Sequence, residues 1–558
     1  MIRSQKRRFL AGIAGGAAFA LVLTGCVQSD RDTGDGGDGS TGGDSDVNST
    51  FIFASSSDPR GLDPAFANDG ETFRISRNIF EGLVGVQPGT ADPAPLLATD
   101  WESSDDGTSY TFQLQEGVVF HDGTEFNAEA VCANFDRWYN WTGLPATQSM
   151  SYYYGNLYHG NAGDENALYE SCSADDTLVA TVNLTRPFTG FIPSLSLPAF
   201  AMQSPAALEE YAADDVGGTE EAPTYSEYAE SHPTGTGPFV FESWSPGQEV
   251  VLSAFGDYWG DQGQVQEVVF RVIDDPTARR QALEAGDIDG YDLVAPADTA
   301  ALEGAGYNVM QRDPFTILYL GFNQAVEELA DERVRHAISH AIDRQALVDQ
   351  VLPEGTEVAS QFIPPSVNGW NENVTNYDFD QDRARELLAE AGYEDGLTLT
   401  FNYPVNVSRP YMPNPEQIFS ALSSQLEQVG ITVEPKSDEW VDYIDRMQGG
   451  SDHGIHLLGW TGDYNDTDNF VGVFFGSEAN EWGFSNQELF DALSGARELT
   501  DPEEAGTVYQ EINEQIAQFA PGVPLAHPAP SLAFNPRVVS YPASPVNDEV
   551  FNMIELSE

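Results

Sequence analysis

The chain has 558 residues and carries 89 acidic side chains against 24 basic ones, for a formal charge of −65. That length exceeds a single hydrophobic core and implies two or three domains. A surface so acidic repels nucleic acid and anionic lipid, so neither is an expected ligand, and the charge reads as a solubility feature rather than a ligand signature.

The chain opens on a basic segment, Arg3, Lys6, Arg7 and Arg8, followed by "FLAGIAGGAAFALVL". This apolar run is too short and glycine-rich for a membrane span and reads as a secretory leader over 1–25. It ends in "LTGC", which resembles the lipobox of bacterial lipoproteins. Cleavage before Cys26 and acylation of its thiol would anchor the mature chain by lipid to the outer face of the cell membrane. A plain secretory leader with an incidental cysteine is the alternative, and "KRRFL" leaves twin-arginine export open. Residues 26–50, rich in Gly, Asp and Ser, bury no core and read as a flexible tether. Of three cysteines, Cys132 and Cys172 remain, an even pair that points to a disulfide rather than a metal site.

A first strand is predicted at 51–54. In "SYTFQL" the residues Tyr110, Phe112 and Leu114 share one face, and "DTLVATVNL" repeats the alternation with Leu178, Ala180, Val182 and Leu184. Ser245, Pro246, Gly247 and Gln248 form a predicted turn between two strands. "DDPTARRQALEAGD" reads as a helix with Asp275 as cap, Pro276 at its first position and Gly286 at its stop. Residues 331–351 read as one amphipathic helix, with Val334, Ala337, Ile338, Ala341, Val348 and Val351 on one face. "DQDRARELLAEAG" and "PEQIFSALSSQLEQVG" are two more helices, each running into a strand-like stretch, which is the pattern of an α/β domain.

Catalytic patterns are absent: the sequence has no G-x-S-x-G, P-loop, G-x-G-x-x-G or H-E-x-x-H. His336 and His340 stand four apart on a helix without a third ligand, and His121 lies in an "HDG" turn, so no metal or cofactor is expected. Two segments are unusual. In "NVSRPYMPNP", residues 406–415, Pro410, Pro413 and Pro415 exclude a continuous helix and predict a stiff, extended loop. Arg409 there is either a solvated charge or a carboxylate clamp. In "GWTGDYNDTDNF", residues 459–470, Asp463, Asp466 and Asp468 follow the apolar strand "IHLLGW". They lack the spacing of a calcium loop, and the run reads either as a carboxylate that meets a cation at a strand end or as an Asx-rich turn.

The segments "DGTSYTFQLQEGVVFHDGTEFNAEAV", "GTGPFVFESW", "DYWG", "RRQALEAGDIDG", "VRHAISHAIDR" and "YDFDQDRARELLAEAGY" resemble the extracellular solute-binding proteins, family 5. These are capture subunits of peptide and nickel importers of the ATP-binding-cassette class. The resemblance runs from about residue 51 to the C-terminus and departs at Gln115, where the family usually has a basic residue. It implies an α/β, two-lobed periplasmic-binding-protein-like fold of type II, the large peptide-binding class, with an inserted small domain and a hinged cleft. The expected division is a discontinuous first lobe (51–83, 233–312 and 524–558), an inserted domain (84–232) and a second lobe (313–523).

"SRPYMPNP" and "EWVDYIDRMQGG…GWTGDYNDTDNF" look most like the dipeptide-binding branch. There an arginine takes the ligand's carboxylate and an aspartate its ammonium. The resemblance assigns these roles to Arg409 and Asp463, with Tyr411, Trp460, Thr461 and Gly462 lining the pocket. The branch's cysteine pair after the aspartate is absent from "GSEANEWGFSN". The implied protein is no enzyme. It is a monomeric, lipid-anchored, extracytoplasmic subunit that binds a dipeptide or short peptide for an importer permease. Longer oligopeptides or another small solute are the alternative cargo. A secreted hydrolase, the reading from a different class, lacks its catalytic constellation.

Overall fold

The computed structural model describes residues 49–557, apart from 221 and 451. The leader, Cys26 and the tether as far as residue 48 lie outside the described residues. Two sheets organise the two lobes. The first has seven strands in the order Phe239–Ser245, Glu249–Ala254, Glu267–Val272, Thr50–Ser55, Gly290–Asp292, Ser531–Phe534 and Asn308–Gln311. Thr50–Ser55 lies mid-sheet, parallel to both neighbours. Its Phe51 and Phe53 enter one core layer and Ala54 the other, as the period of two demands. The helix Pro276–Ala285 forms through its capping chemistry: Asp275 accepts from the Ala278 N–H at 2.7 Å, and Gly286 ends it at φ 79°.

The second sheet has six strands in the order Glu357–Val358, Gly522–His527, Thr316–Phe322, Ile455–Thr461, Leu397–Val405 and Ile431–Glu439. Leu397–Val405 and Ile431–Glu439 are parallel, and the helix Pro415–Gln428 is the crossover that parallel pairing requires. Every residue of Thr316–Phe322 is buried, because core layers cover both faces of that strand. The strand Gly522–His527 stays in this sheet along its length, so the return to the first sheet falls at residues 528–530 rather than after 523. The two crossings between the sheets are tied together. Arg312 N–H donates to the Pro530 carbonyl at 2.9 Å, and the Thr316 hydroxyl donates to that of Pro528 at 2.9 Å.

A four-stranded sheet, Ala98–Ser103, Ser109–Leu114, Val179–Leu184 and Tyr169–Asp176, builds the remaining part. Tyr110, Phe112 and Leu114 pack with Ala180, Val182 and Leu184 into a core rich in aromatic rings, including Phe135, Trp138, Tyr158 and Phe191. A disulfide joins Cys132, on the helix Ala128–Tyr139, to Cys172 on the outer strand. Closing a loop of sequence separation 40 stabilises the fold by about 4 kcal/mol in the chain-entropy model.

Two local expectations need correction. Residues 331–351 form two helices, Glu332–Ala341 and Arg344–Val351. Asp343 breaks them because its carboxylate accepts from the Ala346 N–H at 2.9 Å and caps the second helix. The stretch 406–415 is not extended. Arg409 and Met412 exchange backbone hydrogen bonds at 3.0 and 2.9 Å, making a tight reversal in which Pro410 presets the first corner.

Where the strands Gly290–Asp292 and Asn308–Gln311 end, two arginines and two carboxylates are buried together. Arg74 reaches Asp292 at 2.6 Å and Glu549 at 3.2 Å, and Arg312 reaches Asp292 at 2.8 Å while also pairing with Glu549. Burial works to raise the Asp292 carboxyl, and Arg312 and Arg74 outweigh it, holding it below the ordinary carboxylate range. The cluster joins segments far apart in the chain, so removing one partner strands buried charge. Arg312→Met should lower the unfolding free energy at pH 7 by about 3–5 kcal/mol. Urea titration checks this, and an unchanged midpoint would contradict it.

Candidate functional site

A cavity of about 1220 Å³ lies between the two sheets. The second lobe contributes Arg409, Tyr411, Trp440, Trp460, Thr461, Gly462 and Asp463 to its wall. The first contributes Arg60, Asp69, Arg77 and Leu293, and the helix Tyr152–Tyr158 closes a third side with Tyr152 and Tyr153. All six ligand residues suggested by the sequence resemblance therefore border one space.

The reversal at 409–412 presents the Arg409 side chain. Its guanidinium lies 4.1 Å from the centre of the Trp440 ring, a cation–π contact that orients the fork without using its donors. Its Nε is buried without a hydrogen-bond partner, and among the described residues the side chain makes no ion pair. Burial pushes the guanidinium below its ordinary value, with Tyr411 and Asp69 acting in the opposite direction. Arginine nonetheless stays charged at neutral pH. The result is a cation largely withdrawn from water and unmatched by any carboxylate contact.

Asp463 stands two residues past the strand Ile455–Thr461, as a strand-end residue of an α/β lobe should. One oxygen accepts from the Tyr153 hydroxyl at 2.9 Å and the other from Asn469 Nδ2 at 3.2 Å. Its own N–H donates to Asn469 Oδ1 at 2.8 Å, which fixes the loop. Burial pushes its carboxyl up to about 6, against the pull of Asn469, Tyr153 and the more distant Arg77. The other acids of the run serve the fold. Asp466 accepts from the Asp468 N–H at 2.7 Å, and Asp468 pairs with Arg497 at 2.7 Å.

The neighbouring positions divide into contacts and supports. Trp460 has a buried, unpartnered indole N–H. Thr461 pairs with Thr316 in the sheet and is half-buried. Gly462 borders the cavity, but its N–H already donates to the Phe315 carbonyl at 2.8 Å, and a Cβ there would collide with Phe315 and Phe470. Its role is packing. At Gly459 a Cβ would collide with the Tyr411 ring, so glycine there lets that ring reach the wall.

Sequence reasoning missed the opposing wall. Asp69 caps the helix Gly70–Ile79 through the Thr72 N–H at 2.9 Å. Leu293 holds φ 58°, a conformation costly for a side chain with a Cβ, while its N–H donates to Asp292 at 2.7 Å. The far wall, where the cysteine pair is lacking, is held by hydrogen bonds. His453 Nε2 meets the Glu481 carbonyl at 3.0 Å, Gln324 N–H donates to the Trp482 carbonyl at 2.8 Å, and Asn480 reaches the Gln448 carbonyl at 3.0 Å. His336 and His340 turn to separate partners, Tyr377 and the Asp378 carbonyl. No group of three or more potential metal ligands occurs among the described residues, and none of their helices is long and apolar enough to cross a membrane.

The family model described as bacterial extracellular solute-binding proteins, family 5 middle, matches residues 92–482. A heme-binding protein A of Haemophilus influenzae is 29% identical over 547 residues, spanning 96% of this chain and 97% of its own. The dipeptide-binding protein of Escherichia coli is 30% identical over 525 residues, spanning 91% and 94%. Among solved structures, the ABC transporter-associated periplasmic binding protein DppA of Helicobacter pylori, in complex with the peptide STSA, superposes with a TM-score of 0.74. It is 27% identical and covers 91% of this chain and 98% of that one.

Asp463 offers a check on the site that needs no ligand. Its carboxyl is raised to about 6 from an ordinary 3.8, so the folded state holds the proton more tightly than the unfolded one. The stability this gives is present in acid and lost as pH rises through about 6, leaving a desolvated charge at neutral pH. Asp463→Asn should therefore melt above the parent at pH 7.5, and the gap should narrow as pH falls toward 4.5. Calorimetric melts across that range decide, and a variant less stable than the parent at pH 7.5 contradicts the assignment.

Proposed function

Because the chain belongs to the bacterial extracellular solute-binding proteins, family 5, we propose that it captures dipeptides outside the cytoplasm and delivers them to the permease of an ATP-binding-cassette importer. The family is one of solute-binding proteins rather than enzymes, and the two-lobed type II fold is that of its peptide-binding structures. One observation carries the reading. A cation and a carboxylate, Arg409 and Asp463, border the same cavity, are pulled from water, and have no ion-pair partner among the described residues.

A dipeptide supplies both missing partners. It is a zwitterion whose extended length is at most about 7 Å. Arg409 meets its carboxylate as a planar fork, and Asp463 meets its ammonium. Each charge-assisted contact contributes about 1.5–3 kcal/mol when the lobes close over it. A longer peptide held at one end leaves the other buried charge unpaired, which selects for length. The ligand's side chains occupy the remaining hydrated space, so many sequences are accepted. Lobe closure about the two crossings between the sheets distinguishes loaded from empty protein at the permease. In this reading the acylated Cys26 and the tether hold the monomeric protein at the membrane's outer face.

A second reading, capture of longer peptides, is favoured by the cavity itself. Its volume of about 1220 Å³ exceeds the ~300–1,000 Å³ usual for small-molecule sites. Calorimetry with Ala-Ala, Ala-Ala-Ala and amidated Ala-Ala separates the two. The dipeptide reading expects tight binding of the first alone, and equal binding of the tripeptide overturns it. Arg409→Ala and Asp463→Asn should each weaken Ala-Ala binding by about tenfold or more, or ~1.4 kcal/mol. Unchanged affinity removes that residue from the site.

A further inference from the structure

The far wall carries a third charge that the two-ended grip does not use. Glu481 borders the cavity although only 9% of it is exposed. Its Oε1 accepts from the Tyr319 hydroxyl at 2.7 Å and lies 3.2 Å from His456 Nε2. Its Oε2 accepts no hydrogen bond among the described residues, and no lysine or arginine there pairs with the carboxylate. His453 fixes the backbone of the same residue through its carbonyl. The group is thus held through one oxygen in a residue that borders the cavity, while the other oxygen has no hydrogen-bond partner among the described residues. A carboxylate merely bracing Tyr319 has no need of that position.

Tyr411 indicates which end of the ligand Glu481 serves. Two residues from Arg409, its phenol is pushed up to about 12, chiefly by burial. Its ring packs against Gly459, next to Leu458, which pairs with the Tyr319 that donates to Glu481, whereas Asp463 lies four residues beyond Gly459. Glu481 therefore belongs to the Arg409 end of the cavity. The exposed Glu478 adds charge of the same sign to the lining nearby, which favours the approach of a cation.

We propose that Glu481 is a specificity subsite for a cationic side chain on the ligand residue whose carboxylate Arg409 holds, so that dipeptides ending in lysine or arginine are preferred cargo. This rests on the dipeptide reading above. An ammonium or guanidinium reaching Oε2 relieves a buried charge, whereas an apolar side chain of equal length leaves it unpaired. The preference is positional, because a basic first residue points its side chain from the Asp463 end.

Titration calorimetry of the parent and of Glu481→Gln with Ala-Lys, Ala-norleucine and Lys-Ala tests this. The parent should bind Ala-Lys about tenfold or more tighter than Ala-norleucine, with no such gain for Lys-Ala. Glu481→Gln, with no charge left to strand or to pair, should bind Ala-Lys no tighter than Ala-norleucine. Acetylating the lysine ammonium of Ala-Lys should abolish the gain in the parent, a result independent of how the variant folds. Equal binding of Ala-Lys and Ala-norleucine by the parent overturns the subsite, as does a gain that survives in Glu481→Gln or appears equally with Lys-Ala. If none of the dipeptides binds the parent, the dipeptide reading falls and takes the subsite with it.

Discussion

Arg409 and Asp463 occupy the same lobe and border the same cavity, and each is a charge that the surrounding protein desolvates without neutralising. Such an arrangement has a cost in an empty protein, because both groups are half-buried and partial desolvation penalises a charge that lacks a counter-ion. Arg409 gets its partial compensation from the Trp440 face, and Asp463 from Tyr153 and Asn469. These contacts hold the two groups in place while leaving their strongest interactions unused.

Rigidity is supplied differently on each side of the cavity. The first lobe locks its wall with a buried quartet, Arg74, Arg312, Asp292 and Glu549, whose Asp292 also anchors the strained Leu293. The second lobe, which lacks a disulfide in its far wall, substitutes a hydrogen-bonded set around residues 479–483 and a buried Trp482. The four-stranded domain, with its ring-filled core and the Cys132–Cys172 bridge, positions Tyr153 against Asp463. Three separately packed bodies thus border one cavity.

Features governed by neighbouring residues were legible in the sequence. The helix Pro276–Ala285 carries its cap, its opening proline and its terminating glycine within twelve positions, and it forms as written. Alternation likewise marked the buried faces of Ser109–Leu114 and Val179–Leu184. Reading failed where one residue had two uses. Asp343 lies in a helical pattern but caps a new helix, and the prolines after Arg409 stiffen a reversal rather than an extended loop. Arg409 and Asp463 were reachable only by resemblance, since nothing local distinguishes a clamp from a solvated charge. Tyr153, Leu293 and Glu481, which border the same cavity, carried no local signal. Tyr153 meets Asp463 across 310 positions, a proximity created by the fold alone.

The central claim concerns two unpaired charges and the opposite poles of one small peptide. A crystal structure of the protein with a bound dipeptide tests it most directly. The account predicts the ligand's carboxylate against both terminal nitrogens of Arg409 and its ammonium within hydrogen-bond distance of Asp463. A ligand seated in the same cavity with either side chain turned away from it would contradict the account.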